Sequence, residues 1–163
     1  MIDTAIILAA GLGKRMREFD PVIPKPLIKV KNKPFIQYAI DLLNEIRAKK
    51  IVINVHYKSD EILKFIKNLS QNNIIVSDES DLLLDTGGGI KKIFDKYNIN
   101  KSLVLNSDVI WSDSDKELIV DMINSYPKEA EAFIGLVPKK NIRGFKGKGD
   151  FCILKNNNLI RYD

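Results

Sequence analysis

Apolar positions along the chain fall into two alternating rhythms, short continuous runs and stretches with helical spacing. Thr4-Ala5-Ile6-Ile7-Leu8 is apolar and β-branched enough for a strand buried on both faces. From Pro34 the apolar residues stand at 35, 36, 39, 40, 42, 43 and 46, which is helical spacing with proline at the start. Ile51-Val52-Ile53-Asn54-Val55 predicts a second buried strand. Ser59 is a candidate cap for a helix with Ile62, Leu63, Phe65, Ile66 and Leu69 on its inner side. The pattern then predicts a strand over Ile74–Ser77, a short helix over Ile90–Tyr97 and a strand over Ser102–Asn106. Ser114-Asp115-Lys116-Glu117 reads as a capping box opening a helix to about Ser125, and Ala130–Val137 as a returning strand. Such alternation argues for an α/β fold, a mostly parallel sheet covered by helices on both faces.

The rhythm breaks from Lys139 to Gly149, a basic, glycine-rich run that reads as a loop. Asp150–Leu154 and Leu159–Tyr162, around the turn residues Asn156, Asn157 and Asn158, predict a hairpin. With 163 residues the chain is expected to form one domain, 1–163. Its 45% hydrophobic and 29% charged residues are those of an ordinary globular protein. A net charge of +5 suits anionic ligands but is too small and scattered to imply nucleic acid. Cys152 is the only cysteine, so no intrachain disulfide can form. No segment approaches the roughly 18 apolar residues of a membrane span, and the first strand has no basic leader. The expectation is therefore a cytoplasmic protein without membrane partners.

Chemistry concentrates where the first strand ends. Ala9-Ala10-Gly11-Leu12-Gly13 is a small-residue loop, and Arg15 and Lys25 place two cations close behind it. Small residues let backbone N–H groups approach an anion, so the stretch reads as a nucleoside triphosphate cradle. A dinucleotide fingerprint would need a third glycine where Met16 stands, and no Gly-Lys-Ser/Thr of a Walker loop follows. A plain strand-to-helix turn using glycine for its geometry is the competing reading. Beyond the ends of other predicted strands lie Asn106-Ser107-Asp108 and the loop holding Glu79, Asp85 and Gly87–Gly89, so all three are expected to open on one crevice. Asp108 there could hold magnesium, which needs one or two carboxylates plus phosphate oxygens, or could merely cap a turn. His56, the only histidine, reads as a strand-edge residue.

Leu8-x-x-Gly11-x-Gly13-x-Arg15-Met16 followed by Pro24-Lys25-Pro26-Leu27 resembles the signature of the sugar-1-phosphate nucleotidyltransferases. The resemblance continues through Asp85-Thr86-Gly87-Gly88-Gly89-Ile90, Asn106-Ser107-Asp108-Val109 and Gly149-Asp150-Phe151. These later blocks are most similar to the branch of N-acetylmuramate-1-phosphate uridylyltransferases and mannose-1-phosphate guanylyltransferases. It implies a Rossmann-like three-layer fold with a mixed, mostly parallel sheet, here expected to be short of the family's usual C-terminal part. It implies NTP and a sugar 1-phosphate as partners, with UTP and N-acetylmuramic acid 1-phosphate favoured, and guanosine with mannose or heptose phosphates behind them. By the same resemblance, Arg15, Lys25 and Asp108 are catalytic, with Asp108 the Mg2+ ligand. Ala10, Gly11, Leu12, Gly13 and Gly88 meet the nucleotide, the Thr86–Gly89 stretch lying at its base. Asn106, Asp150 and, as a weaker candidate, Glu79 meet the sugar, while Lys146 and Lys148 are candidates for its phosphate. The family's second metal-binding aspartate has no match, since Asp163 sits in no corresponding motif. A nucleotide-binding module with little turnover is the alternative.

Overall fold

The computed structural model describes residues 3–14, 16, 22–155 and 158–162. Arg15, the turn residues Asn156 and Asn157, and Asp163 lie outside the described residues. The chain divides into two compact units, Met1–Ser125 and Tyr126–Asp163.

In the first unit, β1 (Thr4–Leu8) leads through a 3-10 turn (Lys25–Leu27) to a small hairpin, β2 (Lys29–Val30) and β3 (Lys33–Pro34). Lys31 and Asn32, at φ 50° and 64°, supply the two left-handed residues that a two-residue hairpin turn of this kind requires. There follow α1 (Phe35–Glu45), β4 (Lys50–Val55), α2 (Ser59–Leu69), β5 (Ile74–Asp78), α3 (Asp85–Tyr97), β6 (Leu103–Asn106) and α4 (Asp113–Asn124). The central sheet has the order β5-β4-β1-β6, and every neighbouring pair in it is parallel.

Period-2 alternation decides which helix covers which face. Ala5, Ile7, Ile51, Ile53 and Val55 point to one side and pack with Ile36, Ile40 and Leu43 of α1, Ile62 of α2 and Ile119 of α4. Ile6 and Val52 point to the other, against Ile93, Ile90 and Phe94 of α3. Helices therefore cover both faces, the three-layer arrangement expected from the sequence.

Three local expectations change. Helix α3 begins at Asp85, so Thr86–Gly89 is its first turn and not a loop ahead of a helix at Ile90. Helix α4 is capped by Ser112, two residues before the predicted Ser114. The Ser112 N–H and hydroxyl donate to the Asp115 carboxyl at 2.8 and 2.6 Å. Helix α2 likewise starts at Ser59 itself, behind left-handed Lys58.

In the second unit, residues 130–137 form no strand. A strand needs a neighbour to satisfy its backbone, and this stretch has no ladder; Phe133, Ile134, Leu136 and Val137 are exposed. The basic run 139–149 holds one 3-10 turn (Lys139–Asn141) and is otherwise irregular and exposed. The predicted hairpin forms as β7 (Phe151–Ile153) paired antiparallel with β8 (Leu159–Arg161). Among the described residues no helix is long and apolar enough to cross a membrane.

Candidate active site

The chain order reverses beside β1: β4 and β5 lie on one side of it and β6 on the other. Loops leaving the carboxyl ends of two adjacent parallel strands diverge at such a switch point, which opens a crevice. An open cleft of about 460 Å³ occupies that position, bounded by residues 8–14 after β1, Asn106–Asp108 after β6 and the start of α3. Register explains the convergence. Leu8 pairs with Asn106, and the Ser107 N–H donates to the Leu8 carbonyl at 3.3 Å, so the glycine loop and Asp108 leave the sheet side by side.

Gly13 has φ +58°, and a Cβ there would sit 3.1 Å from the Lys25 Cβ. Glycine is required twice over, for the left-handed backbone and for the close approach of the 3-10 turn carrying Lys25. Pro24 and Pro26 flank Lys25 and restrict that turn, whose Leu27 N–H donates to the Pro24 carbonyl at 2.8 Å. Held in this way, Lys25 Nζ donates to Asp108 Oδ2, an ion pair between groups 83 residues apart and each about one-third exposed.

Ala10, Gly11, Leu12, Gly13, Lys25, Asn106 and Asp108 all line the cleft. Gly88 and Glu79 do not. A Cβ on Gly88 would lie 2.9 Å from the Leu84 Cβ, so its bareness serves the packing of the α3 entry. Glu79 is 1% exposed, behind the cleft-lining Asn54, with Oε1 accepting from Asn54 Nδ2 at 2.9 Å. Asp150 belongs to the second unit, beside β7, where its carbonyl accepts the Tyr162 N–H at 3.0 Å. His56 donates from Nδ1 to the Glu79 carbonyl at 2.6 Å.

Asp85, expected at the crevice as part of its loop, and Asn54, not expected there, both line the cleft. Asp85 lines the cleft with φ 54°, a left-handed conformation unusual for a residue with a Cβ. Asn54 lines it from β4 at 2% exposure, and the available signal was one amide inside an otherwise apolar strand run. Among the described residues no three His, Cys, Asp or Glu side chains gather as a metal site. The cleft's donors, Asp108, Asp85, Asn106 and Ser107, are all oxygen groups or amides. Hard cations such as magnesium take oxygen donors of this kind, completed by phosphate oxygens of a substrate, so the residues present fit that ion.

A parallel sheet in this order, with a glycine loop, a lysine and a carboxylate at its switch point, defines a doubly wound α/β protein with its crevice at the switch point. Residues 4–146 match the model of the family described as nucleotidyl transferase, and the chain belongs to that family. It is 30% identical over 163 residues to the N-acetylmuramate alpha-1-phosphate uridylyltransferase of Caulobacter vibrioides, covering 97% of this chain and 67% of the relative. It is 29% identical over 145 residues to the D-glycero-alpha-D-manno-heptose 1-phosphate guanylyltransferase of Aneurinibacillus thermoaerophilus, covering 86% of this chain and 60% of that one. Among solved structures, HddC from Yersinia pseudotuberculosis complexed with GMP-PN superposes with a TM-score of 0.61 at 31% identity, over 76% of this chain and 55% of that chain. The chain thus spans roughly half to two-thirds of the length of these relatives.

Proposed function

We propose that this protein transfers a nucleotidyl group from an NTP to a sugar 1-phosphate, releasing an NDP-sugar and pyrophosphate. The observation that carries the reading is the meeting of Lys25 and Asp108 at the mouth of the glycine loop. A sugar 1-phosphate has its second pKa near 6, so at neutral pH an ionised oxygen attacks the α-phosphorus without a general base. The new P–O bond forms as the bond to the β-phosphate bridging oxygen breaks, and pyrophosphate carries away the electron pair. What this chain supplies is alignment and charge neutralisation. Lys25 neutralises the α-phosphate, Arg15 holds the departing pyrophosphate, and the backbone N–H groups of the glycine loop seat the triphosphate as a whole. Asp108 and its oxygen-donor neighbours would hold magnesium, which when bound adds further positive charge opposite the triphosphate. UTP with N-acetylmuramic acid 1-phosphate is the favoured pair, supported by the relative that covers 97% of this chain. GTP with a heptose or mannose 1-phosphate is second, supported by the guanylyltransferase relative. Asn106, on the cleft, is the candidate sugar contact. A cytoplasmic setting accords with the lone Cys152.

Pyrophosphate release across the four NTPs and a panel of sugar phosphates tests the assignment. Lys25→Ala and Asp108→Asn should each lower turnover by about 100- to 1000-fold, and full activity in either refutes it. Nucleotide binding without turnover is the second reading, favoured by the fact that, among the described residues, no three His, Cys, Asp or Glu side chains gather as a metal site around Asp108. NTP binding by titration with no NDP-sugar formed selects that reading.

A further inference from the structure

Asn54 is the one polar residue inside the otherwise apolar Ile51–Val55 run, and its amide is hydrogen-bonded at both ends. Oδ1 accepts the Ala9 N–H at 2.8 Å, at the first peptide beyond β1, where the glycine loop departs. Nδ2 donates to Glu79 Oε1 at 2.9 Å. The two ends of an amide are nearly the same size, so only their partners decide which way it faces. A carboxyl oxygen at Glu79 demands the NH2 end and leaves Oδ1 for Ala9. Glu79 is itself aimed inward by the turn after β5. Its N–H donates to the Val55 carbonyl at 2.8 Å, and the Asp78 carboxyl takes the Ser80 N–H at 2.8 Å.

The third partner is Gly89. A Cβ there would lie 2.7 Å from Glu79 Oε1 and 2.9 Å from Asn54 Nδ2, so α3 rests its bare backbone on the pair. The start of the same helix, Asp85 and Thr86, lines the cleft. Three walls of the cleft, the glycine loop, β4 and the α3 entry, are thus tied to one buried hydrogen-bonded pair. Glu79 Oε2 is buried and has no hydrogen-bond partner among the described residues, so the second oxygen adds no bond that would account for a carboxyl at this place.

We propose that Asn54 and Glu79 are positioning residues, which fix the departure of the glycine loop from β1 and thereby the affinity for the triphosphate. The ligand in this inference rests on the function proposed above. The test exchanges amide and carboxyl across the pair. Asn54→Asp sets two carboxyls face to face with no donor between them, and should weaken UTP or GTP binding by about 10- to 100-fold, titrated without sugar phosphate. Glu79→Gln keeps an acceptor oxygen for Asn54 and should change affinity less than about threefold. In the double variant Asn54→Asp/Glu79→Gln the glutamine NH2 donates to the aspartate, whose other oxygen receives Ala9. Affinity should return to within about threefold of the original.

Hydrogen exchange at the Ala9 amide is read in parallel. It should speed up in Asn54→Asp and slow again in the double variant, whether or not a nucleotide binds. If the unaltered chain binds no NTP, the proposed function falls, and the exchange data alone decide the positioning claim. Unchanged Ala9 exchange in a folded Asn54→Asp overturns the inference, as does a double variant no better than the single one. Should Asn54→Asp fail to fold while the double variant folds and binds, the pairing is supported.

Discussion

Three consecutive glycines stand at the start of α3, and the space around each decides the outcome of the same substitution. A Cβ on Gly87 meets nothing within 4 Å, on Gly88 it meets the Leu84 Cβ at 2.9 Å, and on Gly89 it meets Glu79 Oε1 at 2.7 Å and Asn54 Nδ2 at 2.9 Å. None of the three has a positive φ, so alanine is allowed by the backbone at all of them. Alanine in a helix gains roughly 0.5–1 kcal/mol over glycine, chiefly by restricting the unfolded chain. Gly87→Ala should therefore stabilise by about that amount. At Gly88 the atom met is the Leu84 Cβ, which moves only with its backbone, so an overpacking cost of about 1–3 kcal/mol outweighs the gain. At Gly89 overpacking of about 1–3 kcal/mol adds to about 1–3 kcal/mol for buried groups pushed out of their hydrogen bond. Net destabilisation there should be about 3 kcal/mol after the helical gain is subtracted. Urea unfolding reads this as a midpoint shift of roughly 1–3 M at ordinary slopes. A Gly89→Ala protein as stable as Gly87→Ala would refute the argument that α3 lies directly on the Asn54–Glu79 pair.

Two further outcomes follow from local contacts. Asp115→Ala removes the carboxyl that receives both the N–H and the hydroxyl of Ser112, and should cost about 1 kcal/mol in the same unfolding assay, with α4 the element that frays. The Ser80 hydroxyl hydrogen bond, then the Ser80 N–H, hold the Asp78 carboxyl below its usual range, against a smaller opposing effect of burial. A carboxyl with a depressed folded value stabilises the fold above about pH 4 and loses that contribution as pH falls through the folded value. Asp78→Asn keeps an acceptor oxygen but not the charge. Its stability deficit should be present at pH 7 and should narrow below pH 4; a deficit independent of pH contradicts the assignment.

Much of the first unit was legible in the sequence because the information is local. The runs at Thr4–Leu8, Ile51–Val55, Ile74–Ser77 and Ser102–Asn106 carry their own burial pattern, and each became a strand within a residue or two. Convergence of the small-residue loop, Lys25 and Asp108 was legible from their places at predicted strand ends and from the motif resemblance; the direct contact across 83 positions required the sheet order. Where propensity and packing disagreed, the sequence misled. Glycine argues against helix, so Thr86–Gly89 reads as a loop, yet close approach of Asn54, Glu79 and Leu84 makes bare positions serve the packing of α3. The apolar run 130–137 has strand composition, but composition cannot provide a neighbouring edge to bond with.

Residue order alone determined which segments bury a face and which positions carry charge, since both follow from side-chain chemistry and the fixed periods of helix and strand. Only the tertiary structure decided that β1 stands between β4 and β6, that Asp108 meets Lys25, and that Glu79 is buried against Asn54. Those outcomes depend on contacts between segments far apart in the chain, whose free energies are set by three-dimensional packing that no local pattern encodes.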